Sequence, residues 1–258
     1  MMLQQNIPRI KKYSRIISLV PSQTELLFYL GLEDEVIGIT KFCVHPKKWF
    51  RNKTRVGGTK NINFKTIDQL SPDLIIANKE ENEKEQIEKL AEKYDVWVTE
   101  VATLSDAIKM INDIGKLTQK SKAATTLAIQ INDKFKKTET TFSLNKKMKA
   151  AYFIWQNPYM VAGGDTFISN MMNYCGFENI FSNCYRYPEI QLIELEEKHC
   201  EIILLSSEPY PFSEKHKDEI KNLFPQKKII LVDGKMFSWY GSRLLKAADY
   251  FKNISLLE

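Results

Sequence analysis

The 258-residue chain lacks an apolar stretch long enough to cross a bilayer, and its first 14 residues lack the unbroken apolar run of a secretory signal. Its four cysteines have no CxxC spacing, which predicts free thiols and no disulfide framework. We therefore expect a cytoplasmic protein with no membrane span. The alternative is a periplasmic or cell-surface protein, if translation starts upstream of Met1.

The motifs of common enzyme classes are also missing. The sequence contains no GxSxG elbow, no P-loop, no GxGxxG after a predicted strand and no HExxH. We therefore expect that the chain is not an enzyme. The alternative is a cytoplasmic α/β enzyme acting on a phosphorylated or nucleotide substrate. Such an enzyme would use the predicted helix starts at Ser22 and Asp165, where free backbone N–H groups attract anions.

Charge of one sign is not concentrated in any part of the chain. The 37 basic and 32 acidic residues are interleaved, and the formal net charge is only +5. A nucleic-acid surface gathers its basic residues on one face, so the pattern predicts no nucleic-acid partner. The composition, with 43% hydrophobic and 27% charged residues, is typical of a folded globular chain.

Short apolar runs alternate with segments of helical spacing. Strands are predicted at 16–20, 36–39, 74–77 and 96–98, and the pattern restarts at 150–154, 202–205 and 229–232. Proline-free helices are predicted over 104–117 and from 121 onwards, the latter about 20 residues long. The pattern predicts an α/β protein with two lobes, each with a parallel sheet flanked by helices, joined by a single long α-helix. The predicted boundaries are 1–118, 119–141 for a stiff connecting helix, and 142–258.

Four segments carry a resemblance to a known family. They are residues 15–26 (RIISLVPSQTEL), 70–76 (LSPDLII), 162–167 (AGGDTF) and 175–181 (CGFENIF). In this order and spacing they resemble the helical-backbone, or class III, substrate-binding proteins. These are the receptors of ABC importers for cobalamin, iron-siderophores and haem, and the cobalamin-binding branch is the most similar. The resemblance extends from Arg15 to about Asn253.

The resemblance implies a ligand-binding function. It implies a small ligand, such as cobalamin or another metal complex, held in a cleft between the two lobes, with no covalent cofactor. It also implies an ABC permease as partner. In this family a surface glutamate of each lobe docks on the permease, and counting from the motifs places Lys65 and Ser238 at those two positions. These replacements weaken the expectation of a permease partner and favour a cytoplasmic relative of the receptors.

The aromatic lining of the cleft also departs from the cobalamin-binding branch. Phe42 falls where an aromatic residue is expected. The positions where that branch has tryptophans are instead Thr59, Asn78 and Met236. These departures weaken the expectation of cobalamin itself as the ligand.

Two loops of the N-terminal lobe are candidate binding elements. Ser22 and Gln23 follow the first predicted strand and open a helix, whose N–H groups would hold an anionic ligand group. The alternative is that Ser22 forms a capping box with Glu25. After the second strand, Cys43 and His45 are spaced so that both would reach one metal ion in an extended loop. His45 alone would instead serve as the axial ligand of a metal held in an organic ring.

Most candidate residues of the C-terminal lobe follow its predicted strands. Because the carboxyl ends of parallel strands meet at one edge of a sheet, their loops should converge there and form flat apolar walls with polar tips. These residues are Trp155, Tyr159, Glu208, Tyr210, Phe237, Trp239, Tyr240 and Arg243. Arg243 would pair with a ligand carboxylate or phosphate. The alternatives are that Trp239 and Tyr240 pack under the hinge and that Arg243 forms a local salt bridge.

Overall fold

A computed structural model of the chain describes residues 11–142 and 147–255. These residues form two compact units. Unit 1 holds the described residues up to Val101, together with Ser105–Gln130 and Tyr240–Arg243. Unit 2 holds Ala102–Leu104, the described residues between Ile131 and Trp239, and those from Leu244 onwards. The first ten residues, on which the expectation about a secretory signal largely depends, lie outside the described ranges.

Unit 1 is built on a parallel sheet. Its strands are β1 (Ile16–Ser18), β2 (Val36–Ile39), β3 (Thr54–Arg55), β4 (Leu74–Asn78) and β5 (Val96–Thr99), in the order β3-β2-β1-β4-β5. Its helices are α1 (Pro21–Tyr29), α2 (Lys47–Asn52), α3 (Phe64–Leu70), α4 (Lys84–Ala91), nearly all of α5 (Leu104–Leu117) and the first part of α6 (Ser121–Phe142). Strands β1 and β4 are buried at every position, because helices cover both faces of a parallel sheet.

The start of α1 differs from one expectation. The helix begins at Pro21 with Val20 as the N-cap, and no side chain caps it. Proline suits the first helical position because its missing N–H would have no intrahelical partner there. Ser22 is therefore inside the helix, and the predicted capping box between Ser22 and Glu25 is wrong.

Unit 2 is also an α/β unit. Its strands are β6 (Met148–Trp155), β7 (Met160–Val161), β8 (Phe177–Asn179), β9 (Ile202–Ser206) and β10 (Lys228–Val232). Its own helices are α7 (Phe167–Tyr174), α8 (Glu194–Glu197), α9 (Glu214–Leu223), α10 (Gly234–Ser238) and α11 (Leu244–Ser255). The sheet order is β10-β9-β6-β7, with β8 also paired to β6. The predicted parallel sheet is confirmed for β6, β8, β9 and β10, and the short β7 adds one antiparallel pair.

The predicted long helix is confirmed as α6, which has 22 residues. At 1.5 Å per residue it is roughly 33 Å long. In unit 1 it approaches α5 closely, because Gly115 of α5 has no Cβ atom. A Cβ there would lie only 2.3 Å from the Cβ of Ala124 in α6. In unit 2 its Phe135 packs edge-on against Tyr174 and Phe251, at centroid distances of 5.1 and 6.1 Å. The helix contributes residues 121–130 to unit 1 and 131–142 to unit 2.

Among the described residues, no helix combines the length and the hydrophobicity that a membrane span requires.

Candidate functional site

Asn78 lies at the carboxyl end of β4 in unit 1 and is buried. Its amide nitrogen donates to the carbonyl and the hydroxyl of Thr99, at 3.0 and 3.1 Å. Its amide oxygen accepts from the backbone N–H groups of Glu80 and Glu81, at 2.9 and 3.2 Å. The whole amide is therefore engaged in fixing the loop after β4 to β5. The structure gives this predicted ligand residue a structural role.

Thr59 is held by a residue that sequence reasoning missed. The side-chain nitrogen of Asn82 donates to the Thr59 carbonyl at 2.9 Å, and its oxygen accepts from the Asn78 N–H at 2.9 Å. Asn82 is buried, whereas Thr59 is half-buried. A second asparagine four residues after the one that ends a strand was the available signal. Thr59 as a ligand contact stays a prediction.

Gln23 is fully buried in the first turn of α1. Its side-chain nitrogen donates to the Thr99 hydroxyl at 2.5 Å, and that hydroxyl donates to the Ala77 carbonyl at 3.1 Å. Because the hydroxyl proton is used, the Gln23 nitrogen must be the donor, and its Oε1 atom has no hydrogen-bond partner among the described residues. The backbone N–H groups of Ser22 and Gln23 also lack intrahelical partners by their position. Binding of a ligand group at this helix start stays a prediction.

In the loop after β2, the surroundings of Cys43 disfavour the metal pair with His45 that its spacing allowed. The Cys43 thiol is buried between two hydroxyls, 3.1 Å from that of Thr24 and 3.2 Å from that of Thr40. Burial raises the pKa of the Cys43 thiol, which opposes the thiolate form that metals bind. No group of three or more metal-ligating side chains occurs in the described ranges. His45 is half-buried, and its role as an axial ligand stays a prediction.

Phe42 has the exposure expected of a contact residue. Its side chain is 51% exposed, and the ammonium group of Lys41 lies 5.1 Å from its ring centroid. Gly58 packs beneath the ring, where an added Cβ would lie 3.2 Å from an aromatic carbon. A cavity of about 440 Å³ adjoins this loop, and Lys41, Asn61 and Phe64 are among its lining residues.

Arg243 has a protein partner. Its Nε and Nη2 atoms donate to the two carboxylate oxygens of Glu25, at 2.9 and 2.7 Å. The two side chains are 9% and 18% exposed, so this bidentate pair is largely shielded from water. The pair joins residues 218 positions apart and fixes the 240–243 segment to α1 within unit 1. The expectation that Arg243 is available to a ligand anion is therefore wrong.

The loop at Gly163 and Gly164 offers no cradle for a phosphate. A Cβ at either glycine would collide with backbone carbonyls of residues 182–186, which already fill that space. The Asp165 carboxylate accepts from the Arg186 backbone N–H at 2.6 Å, and helix α7 begins later, with Thr166 as its N-cap. The structure therefore does not support a phosphate site at Asp165, one of the two helix starts on which the enzyme alternative depends.

In unit 2 the predicted convergence of aromatic residues is seen at the carboxyl edge of the sheet. Trp155, 40% exposed at the end of β6, packs edge-on against Tyr210 in the loop after β9, with ring centroids 5.6 Å apart. Tyr159 is half-buried and packs against Phe153 at 5.6 Å. Its hydroxyl accepts from the side-chain nitrogen of Gln156 at 3.3 Å. Together these residues form an apolar surface with polar tips.

Phe237 and Tyr240 are placed differently from Trp155 and Tyr210. Phe237 is fully buried, with ring centroids 5.1 Å from Tyr152 and 4.8 Å from Phe251, so its predicted role as a ligand contact is wrong. Tyr240 is buried and belongs to unit 1.

Glu208 orients Trp239 in unit 2. One carboxylate oxygen accepts from the Trp239 indole N–H at 2.8 Å and from the Ser238 hydroxyl at 3.1 Å. Burial raises the pKa of Glu208, and these two hydrogen bonds oppose the rise only in part. Gly234 is required here, because a Cβ would collide with the side chains of Ser206 and Glu208. Ser238, at the expected docking position, is thus half-buried and bonded within the unit.

Gln156 and His216 also belong to the surface around Tyr210, and sequence reasoning did not place them there. His216 is on the first turn of α9 and bonds to the Tyr210 hydroxyl. The spacing Ser213-x-x-His216 resembles a capping box, although glutamate or glutamine is usual at its last position. That spacing was the one available signal.

Comparison with known proteins gives concordant results. A model of the periplasmic binding protein family matches residues 16–225. The vitamin B12-binding protein of Vibrio parahaemolyticus is 24% identical over 194 residues, which are 74% of this chain and 70% of that protein.

Two solved structures show the same fold. The periplasmic vitamin B12 binding protein BtuF of Vibrio cholerae has a TM-score of 0.79 at 21% identity, covering 95% of this chain and 99% of that one. A periplasmic heme binding protein from Pseudomonas aeruginosa has a TM-score of 0.82 at 15% identity, covering 94% and 92%. These relatives are described as periplasmic, and the comparisons give no support to the cytoplasmic expectation. The resemblance drawn from the four sequence segments is confirmed. With the match of the family model to most of its length, the chain belongs to the periplasmic binding protein family.

Proposed function

We propose that this member of a ligand-binding family is the substrate-binding component of an ABC importer for a corrinoid or a closely related planar metal complex. The observation that carries the proposal is the edge-on contact between the exposed Trp155 and the half-buried Tyr210 at the carboxyl edge of the unit 2 sheet. Flat rings with polar tips suit a large planar ligand, which needs apolar contact on its body and hydrogen bonds at its rim. The similarity to vitamin B12-binding proteins favours the corrinoid among the metal complexes.

The polar groups around the pair fit the rim of such a ligand. The hydroxyls of Tyr159 and Tyr210 and the amide of Gln156 lie within one hydrogen-bonded group beside the rings. Corrinoids carry amide side chains around a macrocycle, and these present both donors and acceptors.

The proposal places the protein outside the cytoplasm, delivering its ligand to a permease, as the periplasmic relatives favour. At the two expected docking positions, Lys65 is exposed and Ser238 is half-buried and bonded to Glu208. Docking on a permease would therefore not depend on glutamates at these two positions.

Binding is tested with the full chain and four probes: cyanocobalamin, cobinamide, haemin and a ferric hydroxamate. We expect saturable one-to-one binding of a corrinoid by calorimetry, with quenching of tryptophan fluorescence. Comparing cyanocobalamin with cobinamide isolates the contribution of the nucleotide loop. Trp155→Phe should remove most of the quenching, whereas Trp97→Phe, at a buried position of β5, is the matched control. If none of the four probes binds, the proposal fails.

A further inference from the structure

A chain of side-chain hydrogen bonds starts at His216 and ends in the aromatic surface of unit 2. The Nδ1 atom of His216 lies 3.0 Å from the Ser213 backbone nitrogen, and its Nε2 atom lies 3.1 Å from the Tyr210 hydroxyl. The Tyr210 hydroxyl is 2.9 Å from the Gln156 amide oxygen. The Gln156 amide nitrogen is in turn 3.3 Å from the Tyr159 hydroxyl.

The contact between the Ser213 N–H and Nδ1 of His216 fixes the direction of every other hydrogen bond in this series. A backbone N–H can only donate, so Nδ1 of His216 accepts and carries no proton. The neutral ring then has its proton on Nε2, which donates to the Tyr210 oxygen. The Tyr210 hydroxyl donates to the Gln156 oxygen, and the Gln156 nitrogen donates to Tyr159. The Tyr159 hydroxyl proton is left at the end of this series, with no acceptor among the described residues.

Ring packing ties the same residues together. Tyr210 packs edge-on against Phe212, His216 and Trp155, at centroid distances of 4.8, 5.4 and 5.6 Å. Phe212 is buried in the core of unit 2, whereas Trp155 is exposed. His216 therefore fixes both the hydroxyl and the ring plane of Tyr210, the residue that joins the exposed tryptophan to the core.

We infer that His216 is a positioning residue for ligand binding. It orients Tyr210, and through Tyr210 it orients Trp155 and the Gln156–Tyr159 pair. The surface then presents the Tyr159 hydroxyl as a donor to an oxygen acceptor on the ligand, such as a carbonyl or carboxylate. The inference rests on the proposed function, because it assigns a role within the same binding surface.

The structure offers variants that separate this role from simple helix capping. His216→Asn keeps an acceptor near the position of Nδ1 for the Ser213 N–H but has no atom at the position of Nε2. Tyr210→Phe keeps the ring and removes the hydroxyl. Ser213→Ala is the matched control, because it weakens the cap of α9 and removes the hydroxyl 2.9 Å from Nδ1 of His216. It keeps the backbone N–H that donates to Nδ1 and the bond from His216 to Tyr210.

The first measurement needs no ligand. The chain has three histidines, so a long-range ¹H–¹⁵N spectrum at pH 7.5 shows three rings, and the one lost in His216→Asn is His216. We expect Nδ1 without a proton and Nε2 with one. We also expect His216→Asn, but not Ser213→Ala, to change the near-ultraviolet circular dichroism of the aromatic residues. A proton on Nδ1, or equal changes in both variants, would overturn the inference.

The second measurement is the affinity for cyanocobalamin. We expect His216→Asn and Tyr210→Phe each to weaken binding roughly three- to tenfold, as for the loss of one hydrogen bond. The double variant should bind cyanocobalamin no more weakly than the weaker-binding single variant, because both substitutions remove the same hydrogen bond. Ser213→Ala should lower the melting temperature and leave the affinity within about twofold. Additive effects, or unchanged binding by His216→Asn, would overturn the positioning role. If the wild type binds none of the probes, the proposed function fails, and the ligand-free measurement decides the role of His216 by itself.

Discussion

At the carboxyl edge of the unit 1 sheet, the polar side chains that follow the strands turn inward to the backbone. Asn78 and Asn82 hold the loop after β4, the end of β5 and the backbone at Thr59, and Gln23 is buried against Thr99. At the same edge of the unit 2 sheet, aromatic rings gather, and Trp155 remains 40% exposed beside Tyr210. The two sheets are similar, but the loops that follow their strands carry buried amides in unit 1 and partly exposed aromatic rings in unit 2.

The difference separates residues that hold loops from residues suited to contact a ligand. Buried amides that bond to backbone groups leave few donors or acceptors for another molecule. Half-exposed rings retain apolar surface that a ligand can cover. We therefore expect substitutions at the unit 1 edge to act mainly on stability and those at the unit 2 edge to act mainly on affinity.

The largest effect is expected from breaking the ion pair of unit 1. Glu25→Ala leaves Arg243 without its bidentate partner in a largely buried position, and should lower the free energy of unfolding by about 3 kcal/mol in urea denaturation. The matched control is Glu100→Ala, which breaks the exposed pair with Lys79 and should change stability by less than about 1 kcal/mol. Equal effects of the two variants would contradict a structural role for Arg243.

A somewhat smaller loss is expected from Asn78→Ala. The substitution removes the amide that fixes the loop after β4, and should lower the free energy of unfolding by about 2 kcal/mol. Asn52→Ala, at an exposed position of the same unit, should stay within about 0.5 kcal/mol. Calorimetry should show less than a twofold change in corrinoid affinity for either variant. A large loss of affinity with unchanged stability would instead make Asn78 a ligand residue.

The comparison becomes sharper when one exposed ring is removed from each unit. Trp155→Ala should weaken corrinoid binding about tenfold, because a tryptophan packed on one side against another ring is a typical centre of binding energy. Phe42→Ala should have a smaller effect on the affinity, at most about threefold, since its ring is smaller and more exposed. Melting temperatures should change little in either case. A greater effect at Phe42 would reverse the assignment of affinity to unit 2.

The smallest effect concerns pH and Glu208. Burial raises the pKa of this carboxyl in the folded protein, so its contribution to stability is fully present below the ordinary glutamate pKa and is lost as the pH rises through the raised value. Glu208→Gln keeps an acceptor for the Trp239 N–H and carries no charge. The variant should therefore be slightly more stable than the wild type at pH 7.5, and this difference should shrink at pH 4.5. Urea denaturation at the two pH values measures it, and a difference that grows on acidification would contradict the prediction.

Much of the fold could be predicted because it depends on local patterns. The spacing of apolar residues placed α5 at its observed bounds and indicated a helix of about 20 residues where α6 has 22. Runs of branched apolar residues placed β2, β4, β9 and β10 to within a residue or two. These patterns are visible in sequence because helices and strands repeat every 3.6 and 2 residues.

The candidate site could be predicted only in part. Strand ends indicated that Trp155 and Tyr210 would lie together, and they do, because the loops after parallel strands converge at one edge. Their contact with a ligand stays a prediction. The burial of Phe237 and the capture of Arg243 by Glu25 were not visible. Each depends on contacts with residues far away in the chain, and local spacing carries no information about these.

By itself, the sequence determined the two α/β units, the long helix and the family, because periodicity and short motifs encode them directly. Tertiary structure alone decided which of the polar and aromatic residues after the strands remain available. In the folded protein the amide of Asn78 holds a loop, Arg243 pairs with Glu25, and His216 bonds to Tyr210. The physical reason is that a hydrogen-bonding group is satisfied by whatever lies within about 3 Å of it, and the fold, not the spacing along the chain, sets that neighbour.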